Sequence, residues 1–157
     1  MDLSYPSADF PPPPPIRLSV PDGWIRVDTA EALLAAADPS SPPGFAANLI
    51  VTVGRIVGET DLDAVVQRQQ QTAGNGAQLE RQDHEPIAGR DAVWSATTYP
   101  PTTERPVPFF QAQATLLVAR RDRVADVVTL IGTCSAASSA HYAPIFREAF
   151  LSLVVEE

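Results

Sequence analysis

Two histidines and one cysteine are the side chains of this 157-residue chain that are best suited to acid–base or nucleophilic chemistry. His84 stands between two carboxylates in Asp83-His84-Glu85, as a general base with an orienting partner would. Successive side chains of a strand point to opposite faces, so these three groups would not converge. We therefore favour a solvated position beside a turn, with a small enzyme that uses His84 and a carboxylate as the alternative.

His141 lies at the start of the last predicted helix, and Cys134 follows a predicted strand. As a pair, His141 would be the base and Cys134 the nucleophile. A small enzyme that uses His141, in place of His84, with a carboxylate is a further alternative. A small buried apolar residue at a strand end is the interpretation of Cys134 that we favour. Metal ligands come at short spacings that these residues lack, so the sequence predicts no metal and no cofactor.

Four aromatic residues bracket a proline-rich segment at 100–108, namely Trp94, Tyr99, Phe109 and Phe110. Together they could line an apolar groove for a lipid tail or for a helix of a protein partner. The alternative is core packing at one end of a sheet. We take these four aromatics as the candidate binding residues.

The charge of the chain excludes several classes of function. The net charge is −8 and the pI is about 4.6. This argues against a nucleic-acid or anionic-membrane binder, since such proteins carry a basic face. All 11 basic residues are arginines. Without lysine the chain has neither a Schiff-base lysine nor the phosphate-binding lysine of a P-loop.

The N-terminal sequence and the hydropathy predict a cytoplasmic protein. Residues 1–15 lack the basic and apolar regions of a signal peptide and contain no cysteine for lipidation. No apolar run is long enough for a transmembrane helix, and a single cysteine points towards a reducing compartment. We expect a cytoplasmic location, with leaderless export as the alternative.

The chain divides into a proline-rich tail and one domain. Residues 1–15 end in five consecutive prolines, Pro11–Pro15, which lack backbone N–H groups and favour polyproline II. We predict a disordered tail that acts as a stiff spacer, with docking into an aromatic groove as the alternative. Residues 16–157 have the length and the apolar content of a single domain.

Periodicity and turn residues predict an α+β domain. A strand over 124–133 is apolar on both faces, which is typical of the centre of a sheet. In the strand over 108–119, Phe110 and every second residue after it share an apolar face, opposite a wetter one. Strands and helices do not alternate strictly, so we expect a curved antiparallel sheet flanked by helices. The other predicted elements are a hairpin over 16–28, a short helix over 30–37, a strand over 49–57, a helix from Asp61, strands within 77–90 and 91–100, and a helix within 139–155.

The order of several short motifs resembles that of PsbP-like domains. The group with the greatest similarity is the actinobacterial LpqN/LpqT lipoproteins, and the DcrB group is more distant. Each motif is weak alone, and their order over residues 16–155 carries the resemblance. The motifs are Val20-Pro21-Asp22-Gly23-Trp24, the strand sequence at 45–51, the helix over 61–72, the turn Gly89-Arg90-Asp91-Ala92, and the closing helix with Tyr142, Phe146, Ser152 and Leu153.

The resemblance implies an α/β/α sandwich and a non-enzymatic role, because members of these groups bind lipids, glycolipids or proteins, or act as assembly and chaperone factors. The chain departs from the lipoprotein group in having no signal peptide or lipidated cysteine, so we do not expect envelope anchoring. Our leading hypothesis is a chaperone-like binding module for an apolar protein segment or a lipid, with a homodimer as one oligomeric option. A structural subunit of a larger assembly is a further alternative.

Overall fold

The computed structural model describes residues 1–58, 61–74, 76–121 and 123–156. Asn75 and Asp122, which the sequence places in turns, lie outside the described residues. A short 3₁₀ turn, Ala136–Ser138, precedes the last helix. The elements in chain order are β1 (Ile16–Arg17), β2 (Ile25–Arg26), β3 (Leu34–Ala37), β4 (Asn48–Val57), α1 (Leu62–Gln71), β5 (Gln78–His84), β6 (Ala92–Tyr99), β7 (Phe109–Arg121), β8 (Val124–Ser135), α2 (Ser139–Leu151) and β9 (Val154–Val155).

Seven of these strands form one sheet in the order β2-β3-β4-β8-β7-β6-β5, and every neighbouring pair is antiparallel. β8 lies at the centre of the sheet and most of its residues are buried, as its apolar character on both faces predicts. β1 and β9 form a separate two-stranded pair. The predicted α+β class with an antiparallel sheet is confirmed.

Helix α2 packs on one face of the sheet and closes the main hydrophobic core. Phe146 and Phe150 of this helix are fully buried, together with Leu116 of β7 and Leu130 of β8. Phe110 belongs to the same cluster. The apolar alternation that the sequence predicts for β7 is therefore confirmed, and it faces α2.

Helix α1 packs on the opposite face, which is wetter, as predicted. The Gln69 side chain donates a hydrogen bond to Thr129 Oγ1 (3.0 Å) and accepts bonds from Gln113 Nε2 (3.1 Å) and Thr115 Oγ1 (3.0 Å). Asp61 caps the first turn with its carboxylate, as its type and position predict. One helix on each face gives the α/β/α arrangement.

The predicted hairpin over 16–28 and the predicted helix over 30–37 are wrong. A turn does form where predicted, and the N–H of Trp24 donates to the carbonyl of Pro21 (3.2 Å). β1, however, pairs with β9, and β2 pairs with β3. The alanine-rich segment is extended as β3 because it pairs with β4 on one side and β2 on the other. Tertiary pairing overrides local helix propensity here.

The C-terminal end of the chain differs in detail from the sequence prediction. The last helix, predicted within 139–155, ends at Leu151 and contains Pro144. Residues 11–15 make hydrogen bonds with the folded region that are described below. The division into a tail and a domain stays a prediction. Neither α1 nor α2 has the length and apolar character that a membrane crossing requires, and the described residues contain no other α-helix.

Gly132 of β8 allows the Phe146 ring to lie directly on the backbone of the sheet. A Cβ at position 132 would lie 2.7 Å from Cδ2 of Phe146 and closer still to other atoms of the ring. We expect Gly132→Ala to lower the free energy of unfolding by about 1–3 kcal/mol, because overpacking displaces a buried ring. Urea unfolding measures this.

Gly54→Ala is the matched control, since a Cβ at that position of β4 meets no atom within 4 Å. We expect its effect to stay within about 0.5 kcal/mol. Equal unfolding free energies for the two variants would contradict the close packing of Phe146 on β8.

Candidate functional site

The four aromatic residues that the sequence singles out lie on two different faces of the sheet. Trp94 and Phe110 face α2, and the Trp94 ring lies 5.6 Å from that of Phe150 in this helix. Tyr99 and Phe109 face the other side and stack on one another with ring centroids 4.5 Å apart. The structure therefore divides the single predicted groove into two places, and a binding role for these residues stays a prediction.

Trp94 and Phe110 line a cavity of about 380 Å³ between the outer strands of the sheet and α2, which we call the aromatic pocket. Its remaining apolar lining comes from three alanines, and its charged lining comes from two basic and two acidic side chains. These further residues are Ala96, Ala112, Ala143, Arg81, Asp83, Glu85 and Arg147.

The charged groups of the aromatic pocket are already paired with one another. Arg147 donates to both carboxylate oxygens of Glu85 (2.6 and 2.5 Å), and this hydrogen bonding lowers the pKa of Glu85. The same guanidinium lies over the Trp94 ring, 5.2 Å from its centroid. The Trp94 indole N–H donates to the Glu85 carbonyl (2.9 Å). The pocket thus offers an apolar floor and a neutralised rim.

Tyr99 and Phe109 form an aromatic stack that also includes Phe45, whose ring lies 5.9 Å from that of Phe109. The Arg105 guanidinium lies over the Phe109 ring at 5.4 Å. Phe109 is buried, and burial raises the pKa of Tyr99. This arrangement matches the alternative that the sequence left open, which is packing at one end of the sheet.

A larger cavity of about 670 Å³ opens on the same face at the other edge of the sheet, beside β2 and β3. We call it the edge cavity. Ala36 and Leu49 form buried parts of its wall, while Val27 and Leu33 are 39% and 46% exposed. Its lining is mainly apolar, so the edge cavity presents hydrophobic side chains to solvent.

Sequence reasoning missed the edge cavity because it placed the residues concerned in the wrong elements. The sequence predicts a helix for Leu33 and a hairpin for Val27, and these two elements do not bring the side chains together. The one available signal is that apolar residues flank the segment at 28–31, which carries two carboxylates. Only the pairing of β2 with β3 and of β3 with β4 places them around one cavity.

The edge cavity lies next to a free strand edge. β2 ends the sheet on this side, and no strand within the described ranges pairs with its outer edge. The N–H of Val27 donates to the Ala35 carbonyl (3.0 Å). Backbone groups alternate in direction along an antiparallel strand, so those of Arg26 point away from β3. The Arg26 guanidinium itself donates to Asp28 (2.9 Å), and both side chains are exposed.

His84 is held between the carboxylates of Asp63 and Asp91, and not by its sequence neighbours Asp83 and Glu85. Its Nε2 lies 2.9 Å from Asp63 Oδ1, and its Nδ1 lies 3.2 Å from both oxygens of Asp91. Hydrogen bonding to Asp91 and then to Asp63 raises the pKa of His84. His84 thus links Asp63 of α1 to the end of β5 and the start of β6. Because each ring nitrogen already has a carboxylate partner, neither nitrogen is left for a substrate.

Cys134 and His141 do not form a catalytic pair. Cys134 is fully buried, and burial raises the pKa of its thiol to about 11, which opposes formation of the nucleophilic thiolate. His141 is exposed on α2, with its ring edge-on to that of Tyr142. Among the residues that the structure describes, no three His, Cys, Asp or Glu side chains are placed to hold a metal ion. Around His84 in particular, the two carboxylates contact different nitrogens of one ring.

Comparison with known proteins identifies the fold. No family model and no curated protein matches the chain. LpqN of Mycobacterium tuberculosis, described as involved in cell envelope biogenesis, superposes with a TM-score of 0.75 at 15% identity, over 92% of this chain and 84% of that one. The cyanobacterial PsbP protein CyanoP of Synechocystis superposes with a TM-score of 0.59 at 14% identity, over 89% and 92%. The chain has a PsbP-like fold.

A third similar structure is the Ran-binding protein Mog1p of Saccharomyces cerevisiae, with a TM-score of 0.58 at 15% identity over 89% of each chain. The resemblance inferred from the sequence motifs is thus confirmed at the level of the fold.

Within this PsbP-like fold, both cavities lie on the face of the sheet that α2 covers. Leu49, which lines the edge cavity, belongs to the core beneath that helix, and Trp94, which lines the aromatic pocket, packs against the same core. The chemistry of each cavity comes from residues of this chain.

The pairing of His84 predicts how stability depends on pH. The folded pKa lies above the unfolded value of about 6.5, so the charged imidazole stabilises the folded state fully below that pH. This stabilisation is lost as the pH rises through the folded pKa. We expect the urea midpoint of the wild type to fall with rising pH relative to that of His84→Gln.

His141→Gln is the control, because His141 makes no contact with Asp63 or Asp91. Its urea midpoint should follow the wild-type pH dependence. Parallel curves for the wild type and His84→Gln between about pH 5.5 and 8.5 would show that the two carboxylates do not hold the imidazolium.

Proposed function

We propose that the protein is a non-catalytic binding module that holds an extended, apolar segment of a protein partner in the edge cavity. The observation that carries this proposal is the combination of an open apolar cavity with a free strand edge beside it. A peptide that adds to the edge of a sheet gains main-chain hydrogen bonds, and pockets beneath alternate side chains supply specificity.

The apolar side chains around the edge cavity supply the driving force. Val27, Leu33 and Leu34 are each between about a third and a half exposed, and all three line the cavity. Covering such a side chain completely contributes roughly 1 kcal/mol, because full burial of a Val or Leu is worth about 1.5–3 kcal/mol. Exposed clusters of this kind mark interaction surfaces in soluble proteins.

The structure supports a protein segment over a lipid as the occupant. The outward backbone groups of Arg26 can pair with a peptide backbone, whereas an acyl chain has no groups to use them. The Arg26 guanidinium is already paired with Asp28, and the chain carries a net charge of −8, so an anionic headgroup would find no unpaired cation at this position. Mog1p, which shares the fold, is described as Ran-binding, which supports a protein partner.

The candidate catalytic groups support a non-catalytic role. Cys134 is buried with a raised pKa, and both ring nitrogens of His84 are bound to carboxylates. The aromatic pocket is a second surface that a partner could use, but its Arg147 and Glu85 are already bound to each other. A cytoplasmic location remains our expectation from the sequence.

A short peptide in which Val and Leu alternate with Ser and Thr tests the proposal, with binding followed by fluorescence anisotropy of a label on the peptide. We expect the wild type to bind and Leu33→Asp to bind at least about tenfold more weakly, because the new carboxylate would be desolvated without a partner. Leu79→Asp is the matched control, since Leu79 is equally exposed (47% against 46%) but lies on β5 at the other edge of the sheet.

Three outcomes would overturn the assignment. Equal affinities for Leu33→Asp and Leu79→Asp would remove the edge cavity from the binding site. Binding of oleate that is lost in Leu33→Asp, with no binding of the peptide, would make the occupant a lipid. A wild-type homodimer that Leu33→Asp converts to a folded monomer would make the edge cavity a subunit interface.

A further inference from the structure

The central strand carries one buried charge, and two arginines from neighbouring strands neutralise it. Asp126 of β8 is 1% exposed. Arg55 of β4 donates to both of its carboxylate oxygens, Nε to Oδ1 at 2.8 Å and Nη2 to Oδ2 at 3.1 Å. Arg120 of β7 places its Nε 3.2 Å from Oδ2. A buried carboxylate is tolerated only when it is paired in this way, so both arginines are fixed in position.

The same two guanidinium groups hold the proline run. Arg55 Nη1 donates to the carbonyl of Pro11 (2.9 Å), and Arg120 Nη2 donates to the carbonyl of Pro12 (3.0 Å). Further along the run, Pro14 is buried and the Pro15 carbonyl accepts a bond from the N–H of Glu156 (2.9 Å). The tail is thus held through the carbonyls of consecutive prolines.

We propose that Arg55, Asp126 and Arg120 form a binding site for polyproline II segments, and that residues 11–15 of the same chain occupy it. We call these three residues the arginine clamp. The site is distinct from the edge cavity, because Leu49 at the start of β4 lines the cavity and Arg55 near its other end belongs to the clamp. The proposal does not depend on the function proposed above.

The chemistry of the arginine clamp matches a proline run. Consecutive prolines have no N–H groups, so their backbone presents only carbonyl acceptors. Guanidinium groups present only donors, and Asp126 fixes the plane of each one while leaving an Nη group for the proline carbonyl. A polyproline II segment is also rigid before it binds, so little conformational entropy is lost.

Occupation by the tail of the same chain makes the arginine clamp a regulated site. A tethered segment is present at an effective concentration of the order of millimolar, so it excludes a free proline-rich segment of moderate affinity. Loosening of the tail would expose both the arginine clamp and the proline run. A proline-rich segment of another chain, including the tail of a second copy, could then bind in its place.

The test uses the full chain in a form whose tail is weakened while the arginine clamp stays intact, Pro12→Gly/Pro13→Gly/Pro14→Gly. The probe is a synthetic peptide with the sequence of residues 9–16. Titration is followed by calorimetry and by the NMR signals of the Arg55 and Arg120 side-chain Nε–H groups. We expect the tail-weakened chain to bind the peptide at least about tenfold more tightly than the wild type, because the internal competitor is impaired.

Two further variants of the tail-weakened chain locate the binding site. Arg120→Gln should lower the affinity for the peptide by about tenfold or more, while Asp126 keeps its pairing with Arg55 and the domain stays folded. Arg121→Gln, at the next position of β7 and exposed, is the matched control and should leave the affinity unchanged. A peptide with alanine in place of each proline should bind more weakly, since it is flexible before it binds and loses more conformational entropy than a polyproline II segment.

Several results would overturn the proposal. The tail-weakened chain could keep a dispersed NMR spectrum and fail to bind the peptide, which would show that the arginine clamp has no affinity for polyproline II. Equal binding by Arg120→Gln and Arg121→Gln would place the peptide elsewhere. Equal binding by the wild type and the tail-weakened chain would show that the tail does not compete for the site.

Discussion

β8 is buried on both faces, and the need to cover both of them determines where everything else lies. The two helices cannot do this alone. α1 has 10 residues and α2 has 13, which makes them roughly 15 and 20 Å long, whereas the 13 residues of β7 span roughly 43 Å. Parts of each face therefore need another cover or stay open. The proline run covers one such part beside β8. The two cavities are uncovered parts of the α2 face at the outer strands of the sheet.

The long elements could be predicted from the sequence because each contains enough residues to show its period. β8 reads as central because it is apolar on both faces, and β7 shows one apolar and one wet face. The short strands β1 and β2 lie within the predicted hairpin over 16–28, but their true partners could not be predicted in this way. β1, β2 and β9 have two residues each, so their existence depends on partners elsewhere in the chain. This is why the edge cavity, which β2 and β3 create, was missed.

The four candidate aromatic residues show what the alternation of side chains along a strand could have added to the prediction. Side chains alternate along a strand, so Phe109 and Phe110 must point to opposite faces, and so must Trp94 and Tyr99, which are separated by an odd number of positions. Alternation alone could have divided the four residues into two pairs. His84 is the opposite case, because its carboxylate partners come from α1 and from the turn before β6. Asp91 lies across the turn from His84, so the β5–β6 pairing brings it near, whereas only the packing of α1 on the sheet brings Asp63 to the ring.

The pairing of Asp126 explains why the tail contributes to the hydrogen-bond network of the domain and does not merely cover its surface. A buried ion pair usually contributes little net stability, because desolvation of the charges offsets their attraction. Its contribution rises when every remaining donor finds an acceptor, since a partly satisfied polar network is costly in a low-dielectric interior. Arg55 and Arg120 each have donors left after they bind Asp126, and the proline carbonyls accept from them. The tail thus completes a network centred on β8, and a segment that replaced it would have to provide the same two acceptors.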